Sequence, residues 1–553
     1  MERSKREPDA DLLSARNIFI VLIILALLIL LVWLIVRFNQ LSRQVERLEP
    51  EYFVRDQVVL LGTSAGFEAA VTAVEAELGI DLELIDFPEE SGIVPDPPSF
   101  LQPPSLEQTE SIGYKNNFIG PHVASRINLD ANRTQGLDGQ VCGRLDYQVR
   151  LYRIVERPES ADVTVNGPEP VTVDRVIEVI RDTPAANSAL VFADPNYIIG
   201  HSPLIVEGDP DTSEGSALLA ASEGAAREEF LKQWALYDRG IFLLELDSGG
   251  TPRRTVTPMG ASVIVAMFDT SPFDLQQLPV AYANTNVQHF EVAGIPDARD
   301  HGVYGASLVN AIAPASEIRI YRVLNERNQG DLATLLRALN ALCKDWRETS
   351  GRPLVVNLSL GVHSTPDNGN DDSEQTDSRD VLTLKEVLNG LSEMGAVIVA
   401  ASGNDSAELS RNGQAPARMQ IPADYDFVIG VGASNFRGGP SCFSNDADVY
   451  APGGDNGPGC LPVVDKCPTD PSACLIGYSV YTSPKTRYAY WLGTSFAAPL
   501  VSGQAALLLE EGMSPKDVQQ HIINTGTQIS GSNVPLSTGD RIINIRASLE
   551  NLP

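Results

Sequence analysis

The run Val263-Ile264-Val265-Ala266-Met267-Phe268-Asp269 decides the architecture. Six apolar residues ended by a carboxylate read as a fully buried strand whose far end opens on polar chemistry. Working outward, similar strand signals fall at 262–268, 317–323, 353–359, 396–401 and 427–432. Helical periodicity falls between them at 302–312, 331–347 and 379–394, and again at 495–511. Alternation of this kind predicts a parallel sheet with helices on both faces. In such sheets the working groups lie at or just after the carboxyl ends of strands.

Four residues stand at such places. Asp269 ends the first strand, and Asn404 follows the strand Val397-Ile398-Val399-Ala400-Ala401. His301 opens one helix and Ser495 opens another. The chain order Asp, His, Ser is one of those in which a hydrolase triad occurs. A serine hydroxyl is a weak nucleophile until a base takes its proton. Histidine suits that task near neutral pH. A carboxylate holds the histidine's tautomer and stabilises the imidazolium. An asparagine amide can donate to the oxyanion of the transition state.

The neighbourhoods of these residues resemble the subtilisin-like serine proteases. Val263–Asp269 with Thr270 resembles that family's aspartate motif, and His301-Gly302 its histidine motif. Asn357-Leu358-Ser359-Leu360-Gly361 is similar to the substrate-binding strand, and Ala400-Ala401-Ser402-Gly403-Asn404 to the oxyanion segment. Gly493-Thr494-Ser495-Phe496-Ala497-Ala498-Pro499 is similar to the nucleophile motif. The resemblance runs over roughly 230–553, from Gln233-Trp234-Ala235-Leu236 to Ile543-Asn544-Ile545. It implies Asp269, His301 and Ser495 as the triad and Asn404 as the oxyanion donor. It also implies Ser359, Leu360, Gly361, Ala401, Ser402 and Gly403 as substrate-contacting residues. The substrate is then a protein or peptide in extended conformation, added as a strand.

Composition agrees with a large globular protein. The chain has 553 residues, 43% hydrophobic and 20% charged, enough for more than one domain and a sizeable core. Its formal net charge of −31 argues against a nucleic-acid partner, because phosphate contacts need a basic face.

Residues 1–17 form a polar tail, and Ile18–Val36 are apolar without a break. Nineteen helical residues rise roughly 28 Å, about one bilayer core. Trp33 suits an interfacial anchor, and Arg37-Phe38-Asn39 follow instead of a small-residue cleavage site. A single-pass signal anchor is expected at 18–37. Arg3, Lys5, Arg6 and Arg16 precede the span, and Arg37, Arg43 and Arg47 follow it, a slight bias that puts the rest of the chain outside the cytoplasm.

Between the anchor and the protease-like part, residues 51–199 read as β-α-β, a Pro/Gly-rich insertion at 88–147, then β-α-β. That order predicts a small α/β sandwich of ferredoxin-like type. It resembles the propeptides of the same family, with Val191-Phe192-Ala193-Asp194-Pro195-Asn196-Tyr197 near its end. The resemblance implies an intramolecular inhibitor cut from residues 228–553 by the protease itself, between about 198 and 232. Residues 200–227, acidic and rich in Ser, Gly and Ala, are the expected linker. The whole chain is expected to be an α/β protein: a transmembrane helix, a small prodomain and a subtilisin-like parallel sheet. Cutting the linker would part the catalytic domain from its anchor.

Some features depart from the family pattern. The stretch from His301 to the next strand is too short for the calcium loop that the family commonly carries there. No cofactor or metal is expected, and calcium elsewhere is left open with no ligands assigned. Asp405 and the acidic insertion at 362–380 read either as solvated loops or as attractors of basic substrate residues. Cys442, Cys460, Cys467 and Cys474 suggest disulfides over zinc, since no histidine accompanies them; Cys142 and Cys343 have no evident role. The rival reading, a catalytically silent or partner-restricted binding protein on a protease fold, is countered by an intact set of chemical residues.

Overall fold

The structure is a computed structural model. It describes residues 53–85, 127–128, 147–156, 171–200, 216–217, 220, 222–237, 240–270, 287–291, 301–324, 328–348, 352–362, 381–455, 474–479, 487–529 and 540–553. The expected membrane span at 18–37 lies outside them. Among the described residues no helix is long and apolar enough to cross a membrane. All of them belong to one compact unit.

The first part of that unit is a small α/β layer. Its elements are β1 (Phe53–Gly62), α1 (Ser64–Leu78), β2 (Ile80–Leu84), β4 (Gln148–Glu156), α2 (Val173–Arg181) and β5 (Val191–Gly200). The strands run β5-β1-β4-β2, all antiparallel, the ferredoxin-like order expected from sequence. Thr63 and Thr172 cap the helices, each side chain accepting from a main-chain N–H of the first turn. Strand alternation then sorts the side chains. Val58 and Leu60 point at α1 and α2, with Phe67, Val74, Val176 and Ile180. Val59 and Leu61 point the other way, into a core shared with the larger part.

The insertion between β2 and β4 contributes β3 (Ile127–Asn128), which pairs with the large sheet rather than with the small one. This differs from a loop without pairing.

The larger part is built on a ten-stranded sheet. After β6 (Ser216–Ala217) and α3 (Glu223–Lys232) come β7 (Ile264–Asp269), β8 (Val287–Glu291), α4 (His301–Ile312) and β9 (Glu317–Arg322). Then follow β10 (Gln329–Asp331), α5 (Leu332–Glu348), β11 (Leu354–Leu358), β12 (Gly361–Val362), α6 (Leu382–Glu393), β13 (Ala396–Ala401) and β14 (Val428–Ser434). The last are β15 (Val449–Pro452), β16 (Leu475–Tyr478), β17 (Tyr488–Trp491), α7 (Thr494–Glu510), α8 (Pro515–Thr525), β18 (Thr527–Gln528) and β19 (Arg541–Ile542).

The sheet order is β18-β19-β15-β14-β13-β11-β7-β9-β8-β3, parallel except for β18 with β19. The strands read from sequence are all present, shifted by one or two residues. Val263, Val265 and Met267 face α4 and α7. Ile264, Ala266 and Phe268 face α5 and α6. Both faces of β7 are therefore dry, which is why its sequence shows no alternation.

The expected linker is shorter than 200–227. Strand β6 pairs antiparallel with β17, and α3 begins at Glu223, where the Ser222 hydroxyl accepts from Ala225 N. Ala226 and Phe230 are buried in the larger core, so that part starts ahead of residue 228. Cys343, Cys442 and Cys474 are disulfide-bonded, which gives Cys343 a role that its sequence context did not.

Candidate active site

Asp269 is the last residue of β7 and His301 the first of α4. The His301 Nδ1 lies 2.9 Å from Asp269 Oδ1 and 3.0 Å from Oδ2, with both side chains buried. Asp269 Oδ1 also accepts from Thr270 N at 2.6 Å. The Thr270 hydroxyl in turn accepts from Gly302 N at 3.0 Å, which ties the start of α4 to the end of β7. This close approach requires a glycine. A Cβ at residue 302 would sit 2.2 Å from Thr270 O and 2.9 Å from Asp269 Cβ.

Ser495 is the second residue of α7, buried at its N-terminus. The ring of the next residue, Phe496, lies 4.8 Å from the His301 ring, so the start of α7 packs against the histidine. Trp491 stacks on Phe496 at 5.4 Å and stands 5.9 Å from His301. Tyr304 closes the aromatic group, and burial holds its phenol well above the usual range. Asp269 and His301, read from two separated motifs, thus meet at the carboxyl end of β7, and the residue after Ser495 packs against the His301 ring.

Asn404 lies just beyond β13. Its Oδ1 accepts from Thr494 N at 3.0 Å and from the Thr494 hydroxyl at 3.1 Å. The acceptor end of the amide is thus fixed on the residue before Ser495. Ser359 donates to Ser495 O at 2.8 Å and accepts from Asn357 Nδ2 at 2.9 Å. Ser502 donates to Asn357 Oδ1 at 2.9 Å, closing a buried chain between β11 and α7.

The other expected substrate residues divide. Leu360 is buried, and Gly361 lies in β12, buried and paired with Gly200 of β5. Ser402 uses its main chain within the protein: its N–H donates to Val431 O, and its carbonyl accepts from Gln420 N. Ala401 sits in the core. Gly403 donates to the Thr494 hydroxyl and supports the nucleophile turn. Asp405 Oδ2 accepts from Gln420 Nε2 at 2.7 Å and Asn445 Nδ2 at 2.8 Å, so that carboxylate oxygen braces the loop behind Asn404. Residues 363–380, the acidic insertion after β12, lie outside the described residues.

Strand β12, which follows Ser359, is paired with a strand of the small layer. The end of β5 runs antiparallel to β10 on one side and β12 on the other. Gly200 pairs with Gln329 and Gly361, Ile199 with Gly330 and Val362, and Ile198 with Asp331. Upstream on β5, Asp194 and Asn196 reach the starts of two helices of the larger part. Thr383 N donates to Asp194 Oδ2 at 2.6 Å, and Ala333 N donates to Asn196 Oδ1 at 3.0 Å. Sequence reasoning quoted both residues as a resemblance but missed this use. The signal for it was Val381, a helix N-cap with no side chain able to cap.

The subtilase family profile matches residues 280–539. The chain is 30% identical over 442 residues to the thermophilic serine proteinase of Bacillus sp. (strain AK1), covering 76% of this chain and 90% of that protein. It is 27% identical over 274 residues to subtilisin BL of Lederbergia lenta, covering 46% and 81%. It is 28% identical over 263 residues to the nisin leader peptide-processing serine protease of Lactococcus lactis subsp. lactis, covering 43% and 37%.

Proposed function

The chain belongs to the subtilase family of serine peptidases, and on that premise we propose that it is a self-processing, membrane-anchored endopeptidase made as a zymogen. Ser495 is the nucleophile. His301 takes the hydroxyl proton and later gives it to the leaving amine. Asp269 holds His301 with Nδ1 protonated, so that Nε2 is the base. Asn404 and the Ser495 N–H receive the oxyanion. Ser359 and Gly361 supply one edge for an extended substrate, and β10 supplies the other.

The observation that carries the zymogen reading is the place of β5. Its last residues fill the cleft between β10 and β12, where a substrate strand would bind. A chain seated there both blocks the cleft and presents its own continuation to Ser495. Because β6 and α3 are built into the larger part, the cut falls after Gly200 and before Ser216. That interval is narrower than the 198–232 expected from sequence. The anchor at 18–37 lies on the other side of this cut, so the catalytic part then keeps its membrane position only through contacts with the small layer.

The test is expression of the full chain with a C-terminal tag, as wild type and as Ser495→Ala. Wild type should split between residues 201 and 215, and the variant should stay whole in the membrane fraction. An identical split in both overturns self-processing. A wild type that stays whole and does not react with a fluorophosphonate favours a silent binding protein instead.

A further inference from the structure

We propose that the cleft admits only glycine at one substrate position, with a buried aliphatic residue immediately before it. The inference rests on reading the end of β5 as a stand-in for substrate, and it names the substrate class of that same site.

Gly200 is held from both sides, by Gln329 and by Gly361. Its φ is +151°, a backbone conformation that side chains disfavour. A Cβ built on it would lie 2.3 Å from Asn328 O and 3.3 Å from Gln329 Cα. The obstacle is main chain, so no rotamer change relieves it. Nor can β10 back away freely. Gly330 is seated so closely that its own Cβ would meet Val323 O at 2.1 Å. Asp331, the end of β10, is pinned to α5, its Oδ1 accepting from Thr334 N at 3.0 Å and its Oδ2 from the Thr334 hydroxyl at 3.2 Å.

Ile199 is fully buried in the apolar cluster that also holds Leu332, Leu335 and Leu360. Antiparallel register places the scissile region. Gly361 faces Gly200, so a residue two further along a bound strand comes level with Ser359, which donates to Ser495 O. The selected pair is therefore aliphatic-Gly, with the glycine two residues ahead of the residue level with Ser359.

The test uses the self-processed full chain and two peptide amides of aminomethylcoumarin, Ile-Gly-Ala-Leu and Ile-Ala-Ala-Leu. The alanine peptide should show a kcat/KM lower by roughly 10- to 100-fold, the range expected when one methyl group is forced into a packed site. A ratio within twofold overturns the proposal. A second readout needs no added peptide. Gly200→Ala in the full chain should slow the junction cut by a similar factor, while Leu246→Ala, at an exposed position outside the β5 strand, leaves it near wild type. Junction cutting by Gly200→Ala at the wild-type rate also overturns the proposal. Fluorophosphonate labelling of Ser495 separates the two levels: a labelled enzyme that tolerates alanine defeats only the glycine rule, whereas absence of labelling defeats the protease mechanism beneath it.

Discussion

Asp194 of β5 accepts the main-chain N–H of Thr383 at 2.6 Å and so caps α6, a helix that belongs to the other part of the protein. The capped helix has no side-chain cap of its own, because Val381 occupies that place. Arg181 stands 3.2 Å from the other carboxylate oxygen. A helix start with unsatisfied N–H groups attracts a carboxylate, and here that carboxylate is fully buried.

Burial is the largest influence on Asp194 and pushes its pKa up to about 6, against the opposing pull of the Thr383 N–H and Arg181. The docked state thus takes up a proton more readily than an undocked or unfolded chain, whose Asp titrates near its usual value of about 3.9. The sign follows: docking by this group is strongest below pH 4 and weakens as pH rises through 6. In the uncut Ser495→Ala chain, Asp194→Asn should leave Tm less dependent on pH between 4 and 7. The wild type should gain relative to that variant as pH falls. A pH-independent difference between the two would contradict this assignment.

The Phe496 ring lies 4.8 Å from that of His301. On the proposed mechanism a cationic imidazolium forms there during acyl transfer, and an aromatic face stabilises it by about 0.5–2 kcal/mol. Phe496→Leu should therefore lower kcat by roughly 2- to 30-fold with little change in KM. Steady-state kinetics on one peptide substrate checks this.

Asn404→Asp keeps an acceptor for Thr494 and removes the amide donor. The expected loss is about 10²–10³ in kcat, the usual worth of one oxyanion donor. Retention of a cooperative thermal transition would show that the loss lies in chemistry.

Gly302→Ala places a methyl group against Thr270 O and Asp269 Cβ. Relief requires α4 to move away from β7, which separates His301 from Asp269. Thermal unfolding should show a loss of about 1–3 kcal/mol, and the junction cut should slow with it. Ala at Gly250, where a Cβ meets nothing within 4 Å, serves as the contrast for steric effects, although φ is +77° there.

Much of this protein is decided along the chain itself. The unbroken apolar run ending at Asp269 specifies a strand buried on both faces, and repetition of such runs between helices specifies a parallel sheet. The place of Asp269 at the carboxyl end of β7 was legible for the same reason. The ferredoxin-like order of β5, β1, β4 and β2 was equally legible, because β-α-β units with short connections leave few arrangements.

Other features needed the tertiary structure, because they join segments with no sequence relation. Asp194 is only one residue of the Val191–Tyr197 resemblance until α6 is seen to lack a cap. Cys343 looks idle until burial and bonding assign it. The two main-chain hydrogen bonds of Ser402, to Val431 and Gln420, likewise join segments far apart in sequence. The clash at Gly200 exists only because Asn328, 128 positions away, turns its carbonyl toward it. Local sequence sets which backbone a segment prefers. Which surfaces then meet, and where no room remains for a methyl group, is set by packing between distant parts of the chain.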